Sequence, residues 1–151
     1  MNQTEMVKAL LSAIETKDWT GAASYLTEDF TYSGAVPQPI SGEQWLGIQR
    51  AFLAAFSNLS WNYQAGAESG QQVFGKVQLT GKHTGELRLP IPGIAVIPAT
   101  GKQVSLPAET ITVSFRTGKV ANVHAEIVEG GGLPALLQQL GAIPAGHEKH
   151  A

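Results

Sequence analysis

The chain has 151 residues, 43% of them hydrophobic, with a net charge of −2 and no cysteine. That length suggests one domain, 1–151, able to bury a core without staples. The scattered charges exclude a basic stripe for nucleic acid, and the missing cysteines exclude disulfides and thiolate chemistry.

The first half reads as helical. Val7, Leu10, Leu11 and Ile14 recur at the spacing of one helical face. Asp18 is placed to cap a second, short helix, in which Trp19, Ala22, Ala23 and Leu26 repeat the stripe. Residues Phe30–Tyr32 form a short strand, broken by Ser33-Gly34 and by Pro37 and Pro39. A third helix starts at Ser41, with Gln44 completing a capping-box pattern. Its apolar face is Trp45, Ile48, Phe52 and Phe56, with Ala55 alongside.

The second half reads as strands. Trp61, Tyr63 and Ala65 alternate with polar residues, and Glu68–Gln71 makes a turn. A long strand runs from about Val73 to Leu89. Within it, VQLTGKHTGEL puts His83 in phase with Val77, Leu79 and Leu87. Glu109 shares a face with Ile111, Val113 and Phe115 on the next strand. Thr117-Gly118 turns the chain into a last strand, Val120 to about Val128. Gly130–Gly132 ends it, and a helix over Leu133–Leu140, with Gly141 as its cap, closes a core of about residues 5–141. The remaining tail, 142–151, is expected to be loose. Helices followed by strands imply an α+β fold, with helices on one face of a curved sheet.

Polar residues in apolar phase are the candidates for chemistry. His83 and Glu109 are two of them. A hydrogen-bonded core histidine, and a glutamate escaping to solvent after Pro107-Ala108, are the plain alternatives. The last strand has an apolar face (Ala121, Val123, Ala125, Ile127) and a mixed face (Val120, Asn122, His124, Glu126, Val128), and alternation does not say which is inside. If the mixed face is inside, Asn122, His124 and Glu126 join His83 and Glu109 in one cavity. The apolar face then asks for a partner, and a homodimer follows. Trp19, Tyr32, Trp45 and Tyr63 are candidate ligand contacts. Residues 87–98, LRLPIPGIAVIP, hold one charge among aliphatics and prolines, so Ile94 and Ile97 are expected at a cavity mouth or under a partner subunit.

Other chemistries lack their motifs. The histidines of H-x-x-H at His147 and His150 have no carboxylate or cysteine framework, so no metal is expected. The glycine triplet lacks the P-loop lysine and the dinucleotide-binding spacing, and no serine-nucleophile elbow exists. Acid–base chemistry by His and Glu is what remains. The N-terminus lacks the pattern of a signal peptide, and no apolar run approaches about 20 residues, so a cytoplasmic protein free of the membrane is expected.

The ordered segments DWTGAASYLTEDFTYSG, SGEQWLGIQRAFLAAFSNLSW, GKHTGEL, PATGKQVSLPAETITVSFRTGKV and LLQQLG resemble the SnoaL-like polyketide cyclase or ester cyclase branch of the nuclear transport factor 2-like superfamily. The resemblance runs from about Glu5 to Gly141. It implies a cone-shaped mixed sheet wrapped around helices, an apolar cavity, and dimerisation through the outer sheet. It also implies the mixed face inside and cofactor-free ring closure with an acidic residue of the last strands as acid/base. As an enzyme, the chain is expected to be a cofactor-free cyclase or isomerase of a hydrophobic, polyketide-like carbonyl compound, with His83, Glu109, His124 and Glu126, polar residues in apolar phase, for proton transfer. A non-catalytic carrier of a small hydrophobic ligand is the alternative. His124 stands where the family has an aromatic residue, and no aspartate follows Asp29.

Overall fold

The computed structural model describes residues 2–34, 38–90, 96–126, 128 and 132–141. Helix α1 (Gln3–Glu15) starts at a reciprocal cap: the Asn2 side chain accepts from Glu5 N–H, and the Glu5 carboxylate accepts from Asn2 N–H. It buries Val7, Leu10, Ala13 and Ile14. Helix α2 (Trp19–Ser24) is capped by Asp18, which accepts from Gly21 N–H at 3.0 Å. Helix α3 (Gly42–Ala55) starts at Ser41 with the expected Gln44 reciprocity. Its buried side is Trp45, Leu46, Gln49, Leu53 and Ala55. Phe56 is not helical but opens a strand, because α3 passes into β3 (Phe56–Ser60) without a loop.

The other strands are β1 (Leu26–Ser33), β2 (Ile40–Ser41), β4 (Gln64–Ser69), β5 (Gln72–Val77), β6 (Thr80–His83), β7 (Gln103–Ser105), β8 (Glu109–Arg116) and β9 (Lys119–Ala125). Six of them form a sheet in the order β2-β1-β9-β8-β5-β4, in which only the β1–β9 pair is parallel. A second sheet has the order β3-β6-β7. Helix α4 (Gly132–Gln139) buries Leu136 and Leu137 and ends at Gly141, whose φ is +80°. The Gln139 side chain bonds both the N–H and the carbonyl of Ser105, tying α4 to β7.

The two sheets are continuous through one bent hairpin. The long strand expected from Val73 to Leu89 is two strands, β5 and β6, one in each sheet. Lys82 faces Gln103 and Thr80 faces Ser105, whereas Val77 faces Glu109 and Lys76 faces Thr110. Leu106 N–H donates to Leu79 C=O at 3.0 Å between them. The register therefore moves by one residue at Pro107-Ala108, the signature of a bulge. Proline has no N–H to give to a ladder, so this break costs no donor. The extra residue inverts the phase: Val104 and Leu106 are buried before it, and Ile111, Val113 and Phe115 after it. On the opposite strand Val77, Leu79, Gly81 and His83 stay in phase and buried.

The inside of β9 is its apolar face. Val123 faces Val113 and Ala125 faces Ile111, and both are buried, at 6% and 2% exposure. Asn122 and His124 lie opposite Ser114 and Thr112 on the outer side. The expectation that Asn122, His124 and Glu126 look inward is thus corrected. Val120 is buried despite its parity, because a second irregularity sets it opposite Phe115. Apolar groups inside and hydrogen-bonding groups outside is the arrangement that avoids desolvating imidazole and amide. Val123 and Ala125 are already covered by the fold, so they present no apolar face that needs a dimer partner. Ile127, Gly130, Gly131 and the tail 142–151 lie outside the described residues.

The face assignment has a direct test. Val123→Asp should cost about 3 kcal/mol or more in chemical denaturation, because it buries an unpaired carboxylate. Ser114→Asp, opposite Asn122 on the outer side, should cost about 1 kcal/mol or less.

Candidate functional site

The inner side of the sheet holds one mixed apolar and acidic cluster. The Ser41 cap sets the start of α3 and so places Trp45 against β1. The Trp45 ring stacks on Tyr32 (centroids 5.8 Å apart, planes at 17°) and meets Phe30 at 5.2 Å. Tyr32 lies opposite Val123 on the neighbouring strand, so the phenol shares the inner side with Val123 and Ala125. Glu109 reaches the same side because the Pro107-Ala108 bulge puts it in phase with Ile111, and it is half-buried there. Burial first, and the charge of Glu109 second, push the Tyr32 phenol up to about 12. A phenol in that state keeps its proton and acts as a hydrogen-bond donor.

His83 is fully buried on the β6 part of the same side, with its ring 5.2 Å from that of Phe56. Its Nδ1 lies 2.9 Å from Thr100 Oγ1 and accepts from Thr100 N–H at 3.2 Å. Nε2 has no hydrogen-bond partner among the described residues. Burial pushes the imidazole below its ordinary value, and the Gly85 backbone opposes the shift.

Residues 4–129 match the family profile for a SnoaL-like polyketide cyclase. The chain belongs to the SnoaL-like polyketide cyclase family. Solved structures agree on the fold. AclR, a candidate hydroxylase from Streptomyces galilaeus, aligns over 91% of this chain and 94% of its own, with 22% identity and a TM-score of 0.69. IdmH, a candidate polyketide cyclase from Streptomyces antibioticus, aligns over 93% and 100%, with 18% identity and a TM-score of 0.68. A protein of ketosteroid isomerase-like fold from Catenulispora acidiphila, crystallised with trimethylamine, aligns over 93% and 95%, with 17% identity and a TM-score of 0.64. No functionally curated sequence shows significant similarity. The expected α+β fold, a curved sheet with N-terminal helices, is the fold of the family.

In this SnoaL-like chain the remaining candidates are dispersed. His124 Nδ1 lies 3.0 Å from Ser33 Oγ, and Asn122 Nδ2 donates to the carbonyl and hydroxyl of Thr31, both at 3.0 Å. These are cross-strand ties on the outer side, away from Tyr32. Glu126 is exposed just past β9. Trp19 stacks under the Arg50 guanidinium at 5.3 Å, a cation–π contact at the surface of α2 and α3. Tyr63 covers Gly75, where a Cβ would sit 2.7 Å from the ring. Its hydroxyl has no hydrogen-bond partner among the described residues, and burial, then the charge of Glu68, raise the phenol. Ile97 is buried and pairs with Leu87 as a β-bridge, and Ile94 lies outside the described residues. A separate surface pocket of about 310 Å³, between the ends of α1 and α3, includes Glu15, Lys17, Asn58 and Thr84 and none of the expected site residues. Among the described residues no group of three or more His, Asp or Glu could hold a metal, and no helix is long and apolar enough to cross a membrane.

Sequence reasoning did not single out Thr100 or Phe30. Thr100 gave no signal, because its link to His83 spans 17 residues. Phe30 gave one, its alternation with Tyr32.

The raised phenol dictates an alkaline transition. The unfolded chain loses the Tyr32 proton near pH 10 and the folded chain only near pH 12. The protonated form favours the fold, so stability should fall as pH rises through that window. Tyr32→Phe should remove this loss, and Glu109→Gln should bring the Tyr32 ionisation down in an ultraviolet phenolate titration.

Proposed function

We propose that the chain is an acid–base cyclase or isomerase for a small, mostly apolar carbonyl compound, with Glu109 as the base and Tyr32 as the oxyanion donor. The observation that carries the reading is Glu109 in phase with Ile111 on the inner side, the side on which Tyr32 stacks on Trp45. Family membership supports the reaction class. Several similar structures are described as candidate polyketide cyclases, and a polyketide-like compound fits an apolar inner wall.

The step is an enolisation. Glu109 takes a proton from the carbon beside a ligand carbonyl, and the C–H electron pair moves to the oxygen. The Tyr32 O–H donates a hydrogen bond to that oxygen as its charge grows. In a cyclase the enolate carbon then attacks a second carbonyl of the same molecule. A C–C bond forms, the second oxygen becomes an alkoxide, and protonation completes the aldol. In an isomerase the proton returns to a different carbon. Trp45 and Phe30 supply the flat apolar contact that holds the ligand near Glu109.

A carrier function is the second reading. It is favoured by the dispersal of His124 and Glu126 away from the inner wall, which leaves fewer proton-transfer groups than expected.

Deuterium exchange separates the two without knowledge of the natural substrate. The protein should accelerate uptake from heavy water at the carbon beside the carbonyl of β-tetralone, read by NMR. Glu109→Gln should slow that uptake by about a hundredfold or more. Binding of β-tetralone with exchange at the buffer rate would reject the enzyme and leave the carrier.

A further inference from the structure

We propose that Thr100 locks His83 as the Nε2–H tautomer, and that this N–H is a hydrogen-bond donor for an oxygen of the apolar carbonyl ligand. The inference rests on the carbonyl-ligand reading above, and it gives His83 a donor's role in place of a base's.

Thr100 presents two donors to one lone pair. A backbone N–H can only donate, and it points at Nδ1 from 3.2 Å. The Thr100 hydroxyl lies 2.9 Å from the same nitrogen, while its own oxygen accepts from Lys102 N–H at 3.2 Å. With that oxygen accepting from Lys102, the hydroxyl proton is free for Nδ1. Nδ1 therefore carries the lone pair, and in a neutral ring the proton is on Nε2. The desolvation of a fully buried ring favours the same neutral state.

The ring is also held in place. His83 N–H donates to Lys102 C=O at 2.9 Å, and Gly101 N–H donates to His83 C=O at 2.7 Å. Backbone and ring of His83 thus clamp residues 100–102 together, and Phe56 covers one side. What is left is a buried Nε2–H without a partner among the described residues. A buried donor left unpaired is costly, so such groups normally meet a ligand, water or protein acceptor. The location suits a ligand of the inner wall. Val77 faces Glu109 directly, and Val77, Leu79, Gly81 and His83 are consecutive residues on one buried side. His83 and Glu109 therefore look from the same side of one continuous sheet.

The chemistry asked of the ligand is an acceptor oxygen some distance along the sheet from the carbon that meets Glu109. A second carbonyl or a phenol oxygen of an extended, mostly apolar molecule has that character. Thr100 acts through His83 and is a positioning residue.

Two measurements test this on the full-length protein. Long-range proton–nitrogen correlation spectra of the His83 ring should show the proton on Nε2. Thr100→Val, which loses the hydroxyl but keeps the backbone N–H donor, should leave the proton mainly on Nε2 and raise only a minor Nδ1–H population. The second measurement compares acetylnaphthalene with ethylnaphthalene, matched in shape but differing in the carbonyl. In a Tyr32→Phe background, which removes the phenol as a rival donor, the protein should prefer the ketone by about three- to tenfold, the range of one net hydrogen bond. His83→Leu should abolish the preference, and His83→Gln, which keeps an N–H, should restore part of it. A proton on Nδ1 in the wild type overturns the proposal. So does a ketone preference that survives His83→Leu, because Nε2–H would then not be the ligand's donor, and the Gly85 backbone, which raises the imidazole, is an acceptor within the protein. Loss of deuterium exchange as a finding would reject the role of Glu109 while leaving both of these readouts standing.

Discussion

The one-residue bulge at Pro107-Ala108 is the constraint on which the site depends. Without it, the phase of Val104 and Leu106 would continue along the chain, and Thr110 and Thr112 would face inward in place of Ile111 and Val113. The core would lose its aliphatic contacts, and Glu109 would point to solvent. The bulge also bends the hairpin so that one pair of chain segments serves two sheets. Curvature of the sheet and the inward carboxylate therefore have a single cause.

That cause has an energetic counterweight. A carboxylate beside a buried phenol is unfavourable in an apolar wall, because each group is partly removed from water. The wall compensates by packing: Trp45 stacks on Tyr32 and meets Phe30, and buried Val123 lies opposite Tyr32. Glu109 is left half-buried, so its charge keeps access to solvent while it still acts on Tyr32. A partly wet base beside a dry donor is suited to proton exchange with a ligand. A fully buried carboxylate would tend to neutralise.

The outer side follows the opposite logic. Asn122, His124, Thr31 and Ser33 bond across the β1–β9 pair, so a parallel pair with slanted backbone bonds gains side-chain ties. These same residue types read from sequence as a catalytic cluster. Their spacing is the same in either role, and only the neighbouring strand tells them apart.

The sequence alone determined what depends on neighbours within one turn or one strand. The Asp18 and Ser41 caps, the stripe of α1, the Thr117-Gly118 turn and the Gly141 terminus were all legible, because each is a local hydrogen bond or a fixed period. The order of motifs along the chain carried the family and its α+β fold. The inward phase of His83 and Glu109 was also visible as a period of two. Tertiary structure decided everything that a period of two leaves symmetric. Alternation is unchanged when a strand is turned over, so the inside of β9 was settled only by Val113 and Ile111 lying across from Val123 and Ala125. The state of the His83 ring was settled by Thr100, which follows the Leu87–Ile97 bridge in the chain. Partners that meet only after the chain folds leave no period in the sequence, and those partners define this site.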